Sequence, residues 1–288
     1  MKNSNPRIEA LPWPQGELAV YRWPEGQAHQ PRGVVLLVHG LGEHMGRYSE
    51  TAHFLQEEGW ICIGYDHLGH GRSAGARGTL PSSDALVEGL VQVAQHVVAE
   101  LPSKIAQELP LILLGHSLGG LVVTQALSTA SERMPEVRAA VLSAPALGIH
   151  LSGLQSTLLK TLPIFAPNLC LDNGLDANAV CRDPEVVRRY LNDPLVHRKI
   201  SLRLAAWMMD CANHLPRRLA TWSTPVFLLL AQKDRLVDNQ AAERFAALVP
   251  ADLVTVHRET MMFHEMLNDP EKERVLQKIA DWMDLAVC

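Results

Sequence analysis

Nowhere in the 288 residues do 18 consecutive apolar side chains occur, so no membrane-spanning helix is signalled. Met1 to Pro14 is polar and broken by prolines, without the apolar stretch of a secretory leader. Long runs of Lys or Arg are absent too, and the formal net charge is −5, which leaves no electrostatic footprint for nucleic acid. The five cysteines, Cys62, Cys170, Cys181, Cys211 and Cys288, are odd in number, scattered, and without a C-x-x-C pair. That argues against a disulfide framework or a zinc site and makes a reducing, cytoplasmic setting the default expectation. No H-E-x-x-H or comparable ligand cluster is present, so metal dependence is not expected. Internal repeats and low-complexity segments are lacking as well.

What the chain does have is apolar content, 47% of residues, enough for one large domain or one domain with an insertion. Short apolar runs alternate with helical patterns. Leu18 to Trp23 reads as an edge strand, Val34 to Val38 as a strand buried on both faces, and Trp60 to Tyr65 as the next. Further strands are expected at Leu111 to Leu114, Ala139 to Ser143, Val226 to Ala231 and Leu253 to His257. Helices are expected over Arg47 to Glu58, through Leu86, Leu90, Val93, Val97 and Leu101, over Leu118 to Ala130, and over Asn239 to Leu248. The last helix takes Asp269 as its N-cap and Pro270 as its first residue. This alternation implies a mostly parallel sheet with helices on both faces.

One interval breaks the rhythm: Ala144 to Thr224 separates two strands by 81 residues, far more than a crossover needs. It reads as an inserted helical cap over 144–224, with 1–143 and 225–288 forming the core. Short helices are expected within it at Asp183 to Tyr190, Leu195 to Arg203 and Leu204 to Asn213.

The chemistry gathers on Ser117. Gly115-His116-Ser117-Leu118-Gly119 fits the G-x-S-x-G turn that lifts a serine hydroxyl above a sheet, where a neighbouring Cβ would collide with the turn or its helix. A serine hydroxyl needs a base within reach, and the base a carboxylate to orient it. In a fold of this kind the partners follow in the order serine, acid, histidine, on loops after later strands. After Val226 to Ala231 comes Asp234, three residues past the strand; Asp238 lies where it would cap the next helix. His264 alone among the thirteen histidines lies in the loop before the final helix, whereas His257 sits within a strand. Backbone N–H donors for an oxyanion are expected at Leu118, after the serine, and at Leu41 in His39-Gly40-Leu41-Gly42. His67 and His70, on a glycine-rich turn, read as structural.

His39-Gly40-Leu41-Gly42-Glu43-His44-Met45-Gly46-Arg47-Tyr48, Tyr65-Asp66-His67-Leu68-Gly69-His70-Gly71-Arg72-Ser73, the Ser117 turn, Ser143-Ala144-Pro145 and the Asp234 loop together resemble the monoacylglycerol lipase and lysophospholipase branch of the α/β-hydrolases. Asp193-Pro194-Leu195-Val196 in the cap resembles it too. The resemblance implies the α/β-hydrolase fold, a cofactor-free serine hydrolase, and cleavage of fatty acyl monoesters, monoacylglycerols first, through an acyl-enzyme on Ser117 with His264 and Asp234. It also suggests Glu43 and Arg47 at the head-group end, although a Glu and an Arg four apart at a helix start also make a salt bridge. The sequence departs from the branch at Met261-Met262-Phe263 and at Leu267, where some members carry a second histidine.

Leu151, Leu154, Leu158, Leu159, Leu162, Ile164 and Phe165 exceed what a small lid can bury in itself, so some are expected to line an acyl tunnel or to touch a membrane surface. The expected partner is therefore a lipid-like ester, with peripheral membrane contact through the cap. Rival readings are a lysophospholipase or broad carboxylesterase, non-ester chemistry on the same fold, and an inactive binding module.

Overall fold

The computed structural model describes residues 5–24, 31–101, 109–148 and 161–287. The elements described from end to end include β1 Arg7–Trp13, β2 Gly16–Arg22, β3 Gly33–Val38, α1 Ser49–Glu57, β4 Trp60–Tyr65, α2 Ala85–Glu100, β5 Leu111–His116, α3 Leu118–Thr129, β6 Val137–Ser143, β7 Cys170–Asp172, α4 Pro184–Asn192, β8 Lys199–Ser201, α5 Leu202–Arg218, β9 Val226–Ala231, α6 Asn239–Leu248, β10 Val254–Glu259 and α7 Lys272–Val287. Eight strands form one sheet in the order β1-β2-β4-β3-β5-β6-β9-β10. From β4 to β10 every pairing is parallel, and β1 and β2 join antiparallel at one edge.

The middle strands are apolar for a physical reason. All residues of β3, β5 and β9 are buried, because a parallel strand with helices on both faces has no side turned to water. The helices pack in two groups, α1 with α7 and α2 with α3, α5 and α6, which gives the layered α/β-hydrolase architecture.

Three sequence expectations are corrected. The edge strand is β1, not the Leu18 to Trp23 run, which forms β2 and is buried between β1 and β4. β1 escapes a hydrophobic reading because only Leu11 within it is buried. Leu195 to Arg203 is not a helix: Lys199–Ser201 pairs antiparallel with Cys170–Asp172. The last helix begins at Lys272, two residues after Pro270, although Asp269 still accepts the N–H of Glu271 in a capping bond of 3.0 Å.

The 144–224 interval divides its apolar residues. Leu204, Trp207, Met208, Cys211 and Leu215 of α5 join the main core, whereas Ala177, Val180, Val186, Val187 and Tyr190 form a separate cluster around α4. Leu151, Leu154, Leu158 and Leu159 lie outside the described residues. Among the described residues, no helix is long and apolar enough to cross a membrane.

Candidate active site

Ser117 sits between β5 and α3 with φ +52° and ψ −118°, one of two described non-glycine residues at positive φ. Holding an L-residue there costs about 1–3 kcal/mol and needs surroundings that leave no alternative. The surroundings are visible. The N–H of Ser117 donates to the Ser143 carbonyl at 3.0 Å, and its own carbonyl accepts from Ala146 at 2.9 Å. A Cβ on Gly115 would lie 2.6 Å from the Gly119 carbonyl oxygen, and one on Gly119 would overlap that of Val38, so both glycines are required by close backbone approach. The second positive φ belongs to Ala144, in the segment that braces the turn.

Asp234 and His264 come from the loops after β9 and β10, which lie side by side in the sheet. His264 Nδ1 is 2.7 Å from Asp234 Oδ2, and the Asp234 side chain is fully buried. The other oxygen of Asp234 accepts the N–H groups of Leu236 and Val237 at 2.8 and 3.2 Å. Burial alone would raise its pKa, but His264 and these amides hold it below the ordinary carboxylate value. For His264 the sign is reversed: burial disfavours its imidazolium, and Asp234, Glu265 and Glu43 outweigh that and raise its pKa. Two backbone bonds, from Gln232 to Glu259 and from Lys233 to Met262, at 2.9 and 3.2 Å, stitch the two loops together. Asp238 is the N-cap of α6, accepting from Gln240, and His257 pairs with Glu259 at 2.7 Å.

His116, next to Ser117, brings the Ser117 turn and the His264 loop together: its ring lies 4.7 Å from that of His264, centroid to centroid. Burial and the neighbouring His264 push its pKa down to about 4, so it stays neutral at physiological pH. The loop after β3 meets the same turn, since a Cβ on Gly40 would stand 3.2 Å from the Ser117 Cβ. The N–H of Gly40 is committed to Glu43 at 2.7 Å, and Leu41 follows it. Leu118 opens α3, where backbone N–H groups have no carbonyl partner within the helix.

Glu43 and Arg47 meet each other and a third residue that the sequence reading did not single out. Arg47 forms an ion pair with Glu43 and a bidentate pair with Glu265 at 2.7 and 2.6 Å. Tyr48 donates to Glu43 at 2.7 Å, and the Arg47 guanidinium stacks over Tyr190 of α4 at 4.9 Å. Burial opposes the charge on Glu265, yet Arg47 holds its carboxyl down to about 2. The signal for Glu265 was its adjacency to His264. Leu267 is buried in the core.

Behind the β3 loop, His39, His67, His70 and His197 form a stack with neighbouring centroids 4.4 to 6.0 Å apart. His39 Nε2 accepts the His67 N–H at 2.9 Å, so its proton sits on Nδ1, which faces the Gly40 carbonyl at 2.8 Å. His197, from the 144–224 interval, donates its backbone N–H to the Gly42 carbonyl at 2.8 Å. His67 and His70 are thus structural, as their glycine-rich turn suggests.

Residues 29–271 match the Hydrolase_4 family, described as serine aminopeptidase, S33. The chain is 35% identical over 257 residues to a monoacylglycerol lipase of Mycolicibacterium smegmatis, covering 88% of each. It is 27% identical over 264 residues to phospholipase YtpA of Bacillus subtilis, covering 90% of this chain and 97% of that one. Among solved structures, a monoacylglycerol lipase of Paleococcus ferrophilus superposes with a TM-score of 0.80 at 32% identity, over 93% of this chain and 99% of the other.

Proposed function

The chain belongs to the Hydrolase_4 family of α/β-hydrolases, and on that premise we propose that it hydrolyses monoacylglycerols to fatty acid and glycerol, with Ser117 as nucleophile. The observation that carries this reading is the buried Asp234–His264 hydrogen bond beside the strained Ser117 turn. With Nδ1 of His264 engaged by Asp234, Nε2 is the nitrogen left to act on the serine.

Ser117 Oγ attacks the acyl carbonyl while His264 takes its proton. The oxyanion is held by the N–H groups of Leu41 and Leu118. The carbonyl re-forms, the bond to the glycerol oxygen breaks, and His264 returns its proton to that oxygen. Water then adds to the acyl-enzyme with proton transfer to His264, and the proton passes back to Ser117 as the fatty acid leaves. The imidazolium formed in each step is stabilised by Asp234. The same reading treats 144–224 as the cap over the core of 1–143 and 225–288. It also assigns the exposed Ile164, Phe165, Leu169 and Leu171 to contact with a lipid surface that delivers substrate.

A lysophospholipase is the second reading, favoured by the similarity to phospholipase YtpA. Incubation with a fluorophosphonate followed by intact mass measurement, beside turnover of 1-monooleoylglycerol, lysophosphatidylcholine and short p-nitrophenyl esters, separates them. A single adduct on Ser117 with preference for the monoglyceride supports the first reading; preference for the lysophospholipid supports the second. A folded protein that forms no adduct would refute both.

A further inference from the structure

Glu43, Arg47 and Glu265 form a continuous polar bridge between two loops that the proposed chemistry needs in register. At one end Glu43 accepts the N–H of Gly40 at 2.7 Å, which fixes the His39–Gly40 peptide, the one preceding the peptide that carries the Leu41 N–H. At the other, Glu265 is bonded to Arg47 through both carboxylate oxygens and is the residue after His264. Bidentate guanidinium–carboxylate geometry fixes orientation as well as distance. Each end is braced further. Tyr48 donates to Glu43, Asn268 donates to Glu265 at 3.0 Å, and the Glu265 N–H donates to the Val180 carbonyl at 2.7 Å.

We propose that Glu43, Arg47 and Glu265 are positioning residues that tie the β3 loop to the His264 loop, setting the oxyanion donor and the base at one distance from Ser117. The proposal rests on the reading of Ser117 and His264 as catalytic. It differs from a head-group role for Glu43 and Arg47, and two observations favour it. The side chains of Glu43, Arg47 and Glu265 are only 4%, 10% and 5% exposed, with their charged atoms turned on one another. One cleft that Arg47 borders, of about 230 Å³, is lined by His44, Glu50, Arg189, Asp193 and Asn268 and by none of Ser117, Asp234 or His264. A displacement of about 1 Å in either loop is enough to slow such chemistry by roughly 100-fold.

The test uses the full chain with Glu265→Gln, Glu43→Gln and the double substitution, assayed on p-nitrophenyl butyrate, which has no glycerol, and on 1-monooleoylglycerol. A tie between loops lowers kcat by about 10- to 100-fold on both substrates with KM within about threefold, and the double variant is no slower than the slower single one, because one bridge is cut twice. A rise in KM confined to the monoglyceride, with butyrate kcat unchanged, would overturn the proposal in favour of head-group contact; unchanged kinetics on both would overturn it outright. Unfolding midpoints are measured for each variant. Should the Gln variants fail to fold, Asn268→Ala removes only the brace on Glu265 and is expected to lower kcat about threefold on both substrates; no change would refute the tie. Ser117→Ala separates the two levels of inference. Turnover surviving it defeats the nucleophile and the tie together, while turnover lost in Ser117→Ala but intact in the Gln variants defeats the tie alone.

Discussion

His264 Nδ1 stands 2.7 Å from Asp234 Oδ2, across 30 residues of chain, because β9 and β10 run parallel and end in register, Ala231 opposite Glu259. One carboxylate therefore determines which nitrogen of the imidazole carries the proton. The neighbouring acid, Asp238, caps α6 instead.

Asp234→Asn is expected to lower kcat by about 10⁴-fold, the scale seen when a triad carboxylate is neutralised and the histidine tautomer is lost. The side-chain oxygen of Asn can still accept from Leu236 and Val237, so the fold should survive. Asp238→Asn should leave kcat within about twofold, and loss of activity there instead would reassign the acid. Steady-state kinetics on a soluble ester, with unfolding midpoints alongside, reads both.

The pH profile follows from the raised pKa of His264. The imidazole must be neutral to accept the serine proton, so activity falls as pH drops through that value. The acid limb of kcat/KM is expected above the ordinary histidine value, and Glu265→Gln, by removing a nearby negative charge, should move it down. A limb below the ordinary value in the wild type would show that burial outweighs Asp234.

Stability depends on pH through the buried histidines as well as through the site carboxylates. Burial holds His39, His67 and His70 well below the ordinary histidine value. Unfolded, they take up protons as pH falls through about 6.5, so the unfolded state binds more protons and stability declines on acidification. Each adds up to about 1.4 kcal/mol per pH unit. His264 works against this, since its raised value contributes stability at low pH that is lost as pH rises through it. His116 and His197, held at about 4, act in the same direction, so five histidines outweigh one, and the unfolding midpoint is expected to drop by about 10–15 °C between pH 7.0 and 5.5. A midpoint that holds steady would mean that the stack takes up protons while folded.

Ile164 and Phe165 are 74% and 84% exposed, a cost in water with no packing return. The double change Ile164→Ser, Phe165→Ser should weaken sedimentation with phosphatidylcholine vesicles by about tenfold and slow vesicle-borne monooleoylglycerol turnover, while p-nitrophenyl butyrate turnover stays constant. Equal vesicle binding by both proteins would remove Ile164 and Phe165 from substrate delivery.

Elements whose side chains report one environment could be read directly. β9 and α6 fall on the expected residues, since a strand buried on both faces is continuously apolar and a capped helix announces its start. β1 was missed because its burial comes from pairing with β2 rather than from its own side chains. β8 shows no strand signature in sequence because three residues hold too little pattern, and only their bonds to β7 make them a strand. The candidate set Ser117, Asp234 and His264 could be drawn from the sequence because the order of such residues is tied to the order of the strands, and the structure brings Asp234 and His264 into contact. Glu265 could not be, because its partner Arg47 lies 218 residues away.

Local sterics and chain order, both written in the sequence, account for the strand and helix rhythm, the two glycines that let Ser117 adopt φ +52°, and the candidate acid and base. What the charges do follows from long-range packing. Arg47 turns to Glu43 and Glu265, and His197 reaches Gly42, because burying an ion or a backbone carbonyl is tolerable only with a partner at hand, and the fold alone sets which partner is there.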